Sequence, residues 1–389
     1  MLLMNEKKMS GRPLTDYLYA KASRMHIPLN GTFELSPVCN FACRMCYVRK
    51  TQKEVQDSPR KILTLDDWRR IAHEAKEAGM LELLLTGGEP LLWPDFWTFY
   101  DELTDMGFLI SINTNGSLID EQAISRFRNK PPQRINITLY GASDETYQRL
   151  CGISGVFAKV DAAIRGLMEE GITVKLNCSL TPENAEDIDW IVDYAKERNT
   201  VLSIATYMFP PVRRDPARIG ENERFTPEES SYYMMRYLRR NRGEERYQGY
   251  LRSILKGYAE PLGLETDCID PTDGKIRCRA GKASFWITWD GWMLPCGMMT
   301  QPKIELKEQS FSEAWEQLTK AAANVRLSSL CDQCSNREVC HPCAAIAYAE
   351  TGEFSGIPTY RCQAIQQMCK IASEDIKMKL NISFENKHT

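Results

Sequence analysis

Histidine is scarce in this chain. Only His26, His73, His341 and His388 occur among 389 residues, and they are scattered. That argues against a zinc or non-haem iron site built on imidazoles. Long apolar runs are missing too: nothing approaches the roughly 18 residues of a membrane span, so no membrane partner is expected. Nor is there an excess of either charge. Lys and Arg number 49 against 52 Asp and Glu, a formal net charge of −3, which gives no basic field for nucleic acid. Met1 to Ser10 has two Lys but neither a long apolar core nor a cleavage-like site, so the expected location is cytoplasmic. No internal repeat or low-complexity tract is visible. What remains is a globular composition, 43% hydrophobic and 26% charged, at a length that suggests two domains.

Cysteine is plentiful, with 14 residues. In a cytosolic chain such clusters point to metal rather than to disulfides. The first group, Cys39-Asn40-Phe41-Ala42-Cys43-Arg44-Met45-Cys46, packs three thiols into eight residues. Three thiolates can hold three corners of a [4Fe–4S] cube, leaving one iron open to a substrate or co-substrate. Zinc competes, but a structural zinc site is closed by four ligands, and the next Cys is Cys151.

From Gly31 to Tyr207, strand-like and helix-like segments alternate. Strands are expected near Gly31–Ser36, Leu81–Thr86, Phe108–Asn113, Arg134–Tyr140, Ile172–Cys178 and Val201–Tyr207. The helix over Leu65–Ala78 is the clearest: Trp68, Ile71, Ala72 and Ala75 share a face, Thr64 can cap its start, and Gly79 can end it. Such alternation predicts parallel βαβ units and an open or partial barrel. Cys39, Gly87, Asn113, Thr138 and Asn177 then fall at the C-terminal ends of strands, the face that carries active sites in barrels.

With this context, the Cys39/Cys43/Cys46 run resembles the CxxxCxφC signature of radical S-adenosylmethionine (SAM) enzymes, Met45 taking the apolar position. In that family the open iron chelates SAM, whose reductive cleavage gives a 5′-deoxyadenosyl radical that abstracts hydrogen from substrate. The resemblance implies catalytic roles for Cys39, Cys43 and Cys46. It extends to Gly87-Gly88-Glu89-Pro90, which is similar to the GGE motif and implies that Glu89 binds the SAM amino group. Thr114-Asn115-Gly116 resembles the TNG turn. Thr138-Leu139-Tyr140-Gly141 stands where relatives have Ser-Leu-Asp-Gly, with Thr for Ser and Tyr for Asp. Arg149 sits where relatives often hold the SAM carboxylate, although a surface helix Arg reads as well. Asn177 is a candidate for the nucleoside and Tyr47 for the adenine.

A second array follows. Cys278-x12-Gly291-x4-Cys296 precedes Cys331-x2-Cys334-x5-Cys340-x2-Cys343, and Cys362 closes it. It resembles the SPASM domain, a twin-cluster extension of peptide-modifying radical SAM enzymes, except that two residues stand where relatives have three before the fourth inner Cys. The resemblance implies a first auxiliary cluster on Cys278, Cys296 and Cys343, and a second on Cys331, Cys334, Cys340 and Cys362. Two full cubes need eight ligands; Cys268 is a candidate eighth. Alone, Cys331, Cys334, Cys340 and Cys343 would also suit a zinc ribbon, leaving Cys278, Cys296 and Cys362 unused. Cys151, Cys178 and Cys369 read as small core residues, and Trp286, Trp289 and Trp292 as packing around a hairpin.

The expected fold is therefore α/β: a partial (β/α)6 TIM-like barrel with a C-terminal Cys-rich SPASM iron–sulfur domain. The expected organisation is a short extension over 1–30, the barrel over 31–225, a helical bridge over 226–265, and the SPASM domain with a C-terminal helix over 266–389. Expected cofactors are SAM and three [4Fe–4S] clusters, one catalytic and two auxiliary. The resemblance implies a radical SAM oxidoreductase acting on a ribosomally made peptide or protein. Residues 1–30 are too short for a leader-binding domain, so a separate leader-binding protein is one expected partner. An electron donor such as flavodoxin or ferredoxin is another. A small-metabolite substrate, or a non-catalytic iron–sulfur electron carrier, remains an alternative.

Overall fold

Phe33 stacks on Trp68 with ring centroids 4.9 Å apart, and this contact shows which way the sheet faces. Trp68 lies on the helix Leu65–Glu77, whose buried face is Trp68, Ile71, Ala72 and Ala75. Thr64 caps that helix by accepting from the Asp67 N–H, and Asp67 reaches back to Thr64, a reciprocal cap contributing about 1 kcal/mol. In this computed structural model, residues 14–257 and 274–385 are described. Cys268 lies outside the described residues.

Six strands run parallel and in chain order: β1 (Asn30–Glu34), β2 (Glu82–Thr86), β3 (Leu109–Thr114), β4 (Arg134–Thr138), β5 (Val174–Ser179) and β6 (Val201–Ala205). Side chains alternate along each. Phe33, Leu83, Leu85, Ile110, Ile112, Ile135, Ile137 and Leu176 point outward and are buried under the helices. The opposite face carries Glu34, Ser111, Asn113, Asn136, Thr138, Lys175 and Asn177. A parallel sheet with helices on one face and a polar inner face is a partial barrel.

The sheet has nine strands rather than six. β7 (Ser284–Ile287) pairs parallel with the free edge of β1, placing Trp286 opposite Thr32 and Ile287 opposite Phe33. β8 (Trp292–Leu294) and β9 (Ile304–Glu305) continue antiparallel. The unpaired backbone edge of β1 would otherwise invite wrong pairing, and β7 covers it. The outer face of β7 is covered in turn: Phe285 packs against Phe311 and Trp315, at 5.0 and 5.9 Å, on the helix Phe311–Ala323. The Cys-rich half is thus built onto the barrel sheet through β7.

The arginine-rich helix Pro227–Arg242 also packs rather than merely connecting. Arg236 pairs with Asp189 at 2.9 Å on the helix Ile188–Glu197. On its other side Ser231 donates to the Ala364 carbonyl at 2.7 Å on the C-terminal helix Thr359–Glu385.

Candidate active site

The turn after β2 and the start of the cysteine loop touch backbone to backbone. Gly88 N–H donates to the Ser36 carbonyl at 2.7 Å and Glu89 N–H to that of Val38 at 2.9 Å. A methyl group on Gly87 would collide with the Ser36 carbonyl, and one on Gly88 with that of Val38. The two glycines therefore serve a close approach to the chain leading into Cys39.

Glu89 itself is fully buried. Its carboxylate accepts from the Thr114 hydroxyl at 2.8 and 2.9 Å, from Asn115 N–H at 2.8 Å and from Leu91 N–H at 3.2 Å. Burial pushes it up to about 7, against the pull of these donors. As placed, Glu89 braces the turns after β2 and β3 and is not presented to an open pocket.

Asn115 extends the brace to the cysteines. Its amide donates to Asn40 Oδ1 at 2.8 Å, Asn40 donates to Ser117 Oγ at 2.9 Å, and Ser117 donates back to Asn115 Oδ1 at 2.7 Å. The ring closes 3.8 Å from Cys39 Sγ. Burial raises the Cys39 thiol to about 12, and Glu89, Cys43 and Cys46 add to it. A cleft of about 640 Å³ opens beside Cys39, with Asn40, Arg49, Thr51, Lys53 and Leu92 among its lining.

Cys43 behaves differently. Cys151 holds the Cys43 thiol below the usual value, and the Tyr140 hydroxyl acts in the same direction against the cost of burial. The cysteine loop is fixed to this wall by Ala42 N–H donating to the Cys151 carbonyl at 2.8 Å and Arg44 N–H to the Leu150 carbonyl at 3.1 Å. Cys151, expected only as core filler, is thus also a neighbour of the cysteine loop. Cys178 is buried as expected, whereas Cys369 is only partly buried.

Of the other candidates, Thr138 and Asn177 lie opposite each other across β4 and β5 on the inner face. Arg149, by contrast, is exposed and donates to the Glu183 carbonyl at 3.2 and 3.3 Å. Tyr47 is half-buried under the Arg213 guanidinium, which lies 5.9 Å from its ring. Residues not singled out from sequence complete the inner face. Asn136 donates to Asn113 Oδ1 at 2.7 Å, and its own buried Oδ1 has no partner. Alternation in Arg134-Ile135-Asn136-Ile137-Thr138 carried that signal, because the isoleucines claim the outer face.

Burial raises several thiols of the second array. Cys331 is raised by burial and then by Cys340, Cys362 and Cys334, and Cys362 by burial and Cys334. Cys296 is pushed up to about 11 by burial, with Cys343 adding to it. Cys278 is exposed. Among the described residues no three His, Cys, Asp or Glu are drawn together tightly enough for a single metal ion. Cysteine thiolates are the ligands an iron–sulfur cluster takes, so the donor set suits that group. When bound, the clusters and SAM would supply one-electron cleavage of SAM; the chain's residues would hold, orient and shield them. Trp286 and Trp292 do more than pack. Trp286 donates to Glu34 at 2.9 Å, and Trp292 lies between Arg60 and Lys303, at 4.4 and 4.3 Å.

Residues 33–195 match the Radical SAM superfamily. The chain carries a radical SAM domain. The AdoMet-dependent heme synthase of Methanosarcina barkeri is 26% identical over 334 residues, covering 83% of this chain and 93% of the relative. A probable GTP 3′,8-cyclase of Saccharolobus islandicus is 27% identical over 236 residues, 59% of this chain and 74% of its own. Among solved structures, Streptococcus suis SuiB bound to precursor peptide SuiA superposes with a TM-score of 0.64 at 18% identity, covering 93% of this chain and 84% of SuiB. Native anSMEcpe with bound AdoMet and Cp18Cys peptide gives 0.66 at 18% identity, covering 91% and 99%. These likenesses show the fold: a radical SAM partial barrel continued by a Cys-rich half. Among the described residues no helix is long and apolar enough to cross a membrane.

Proposed function

We propose that this radical SAM enzyme abstracts hydrogen from a ribosomally made peptide or protein, leading to a crosslink, an epimerisation or an oxidation. The observation that carries the reading is the docking of the Cys-rich half onto β1 through β7. SuiB and anSMEcpe match more than nine-tenths of the chain in fold, and both have been seen with peptides. In this reading Cys39, Cys43 and Cys46 hold the catalytic cluster. Cys278, Cys296 and Cys343 hold the first auxiliary cluster, and Cys331, Cys334, Cys340 and Cys362 the second. Tyr47, Gly87, Gly88, Glu89, Asn115, Thr138 and Asn177 line or brace the SAM pocket. A flavodoxin or ferredoxin supplies electrons, and a separate protein presents any leader.

A second reading has its own support. The match to the M. barkeri heme synthase spans 93% of that protein, which favours a heme precursor as substrate. One experiment separates the two. Anaerobically reconstituted protein is given SAM and dithionite with either a short peptide encoded beside its gene or a heme precursor. Formation of 5′-deoxyadenosine and a mass change in the peptide are expected. Turnover of the heme precursor alone would replace the peptide reading, and no 5′-deoxyadenosine under any condition would remove both.

A further inference from the structure

Glu34 is an acid at the end of β1, and it is fully buried. A buried carboxylate needs a partner. Arg213 supplies it: Nη2 donates to the two carboxylate oxygens at 3.0 and 2.9 Å, and the Arg213 side chain is only 11% exposed. Arg213 lies eight residues beyond β6, at the far side of the barrel sheet from β1. The pair therefore spans the open side of the partial barrel.

Two further bonds carry the link into the Cys-rich half. Trp286 Nε1 donates to Glu34 at 2.9 Å, and Arg213 donates to the Gly297 carbonyl at 2.8 Å. Gly297 lies flat on the Trp286 indole, where an added Cβ would come within 2.6 Å of the ring. Gly297 follows Cys296, and Arg213 also lies over Tyr47, which follows Cys46. One guanidinium thus contacts both cysteine-bearing turns.

We propose that Arg213 is a positioning residue: anchored by Glu34, it fixes the Cys296 turn against the Cys46–Tyr47 turn and so sets the separation of the two centres. The second clause rests on the reading of these Cys as cluster ligands; the first does not. A buried pair is well suited to this role, because shifting either turn would strand a charge away from water.

The test measures two things on reconstituted protein: hydrogen exchange of the amides at 284–287 and 296–298, and magnetic coupling between reduced clusters by EPR. Arg213→Met should speed exchange there by roughly tenfold or more and weaken the coupling, with iron and sulfide per chain unchanged. Arg213→Lys should restore part of both. If Arg213→Met does not fold, the double variant Glu34→Gln/Arg213→Met leaves no buried charge unpaired and should show the same two changes. Unchanged exchange and coupling in either variant would overturn the proposal. Faster exchange in a protein whose parent holds no auxiliary iron would support the anchor while removing the cluster assignment.

Discussion

The Thr114 hydroxyl donates to both oxygens of the Glu89 carboxylate, at 2.8 and 2.9 Å, and so ties the turn after β3 to the turn after β2. The pair has a pH signature. Burial raises Glu89 from its ordinary 4.5 to about 7, so the folded chain keeps a proton that the unfolded chain has already lost. The stability of the ligand-free protein should therefore fall as pH climbs from 4.5 through 7, by at most about 3 kcal/mol from this group. Urea midpoints at pH 5 and pH 7.5 check it. Glu89→Gln should flatten the curve, and a variant that loses as much as the parent would contradict the assignment.

Asn115→Ala should cost about 1–3 kcal/mol, because it breaks the ring with Asn40 and Ser117 and leaves Asn40 Oδ1 without its donor. Equilibrium unfolding of the cluster-free protein reads this directly. An unchanged midpoint would mean that the ring does not form in solution.

Iron and sulfide should each number about twelve per chain after anaerobic reconstitution, if three cubes are held. Replacing Cys39, Cys43 and Cys46 together by Ala should leave about eight of each and abolish 5′-deoxyadenosine formation. About four irons accompanied by zinc would restore the zinc-ribbon reading of Cys331, Cys334, Cys340 and Cys343.

Cys268→Ala, made with the three catalytic Cys already removed, should leave the iron content and the EPR signal of the first auxiliary cluster unchanged. An open iron on the set Cys278, Cys296 and Cys343 is then available to a substrate thiolate. Loss of that cluster's signal would make Cys268 the fourth ligand and close the site.

Local spacing made much of this protein legible in its sequence. Three thiols within eight residues must lie in one loop whatever the fold, so Cys39, Cys43 and Cys46 are neighbours by chain geometry. The helix Leu65–Glu77 and its Thr64 cap follow from a 3.6-residue period and a hydrogen bond over three residues. Parallel order among six strands follows from their alternation with helices. Tertiary structure alone decided the rest, where partners are far apart in the chain and no local pattern couples them. It set Trp286 opposite Thr32, adding a seventh parallel strand to the sheet. It turned Arg149 to the Glu183 carbonyl, and brought Cys151 to the cysteine loop at Ala42. Arg213 reaches Glu34 across 179 residues of chain, for a reason visible only in three dimensions: the fold buries Glu34 on the open side of the barrel, where a cation following β6 can reach it and water cannot.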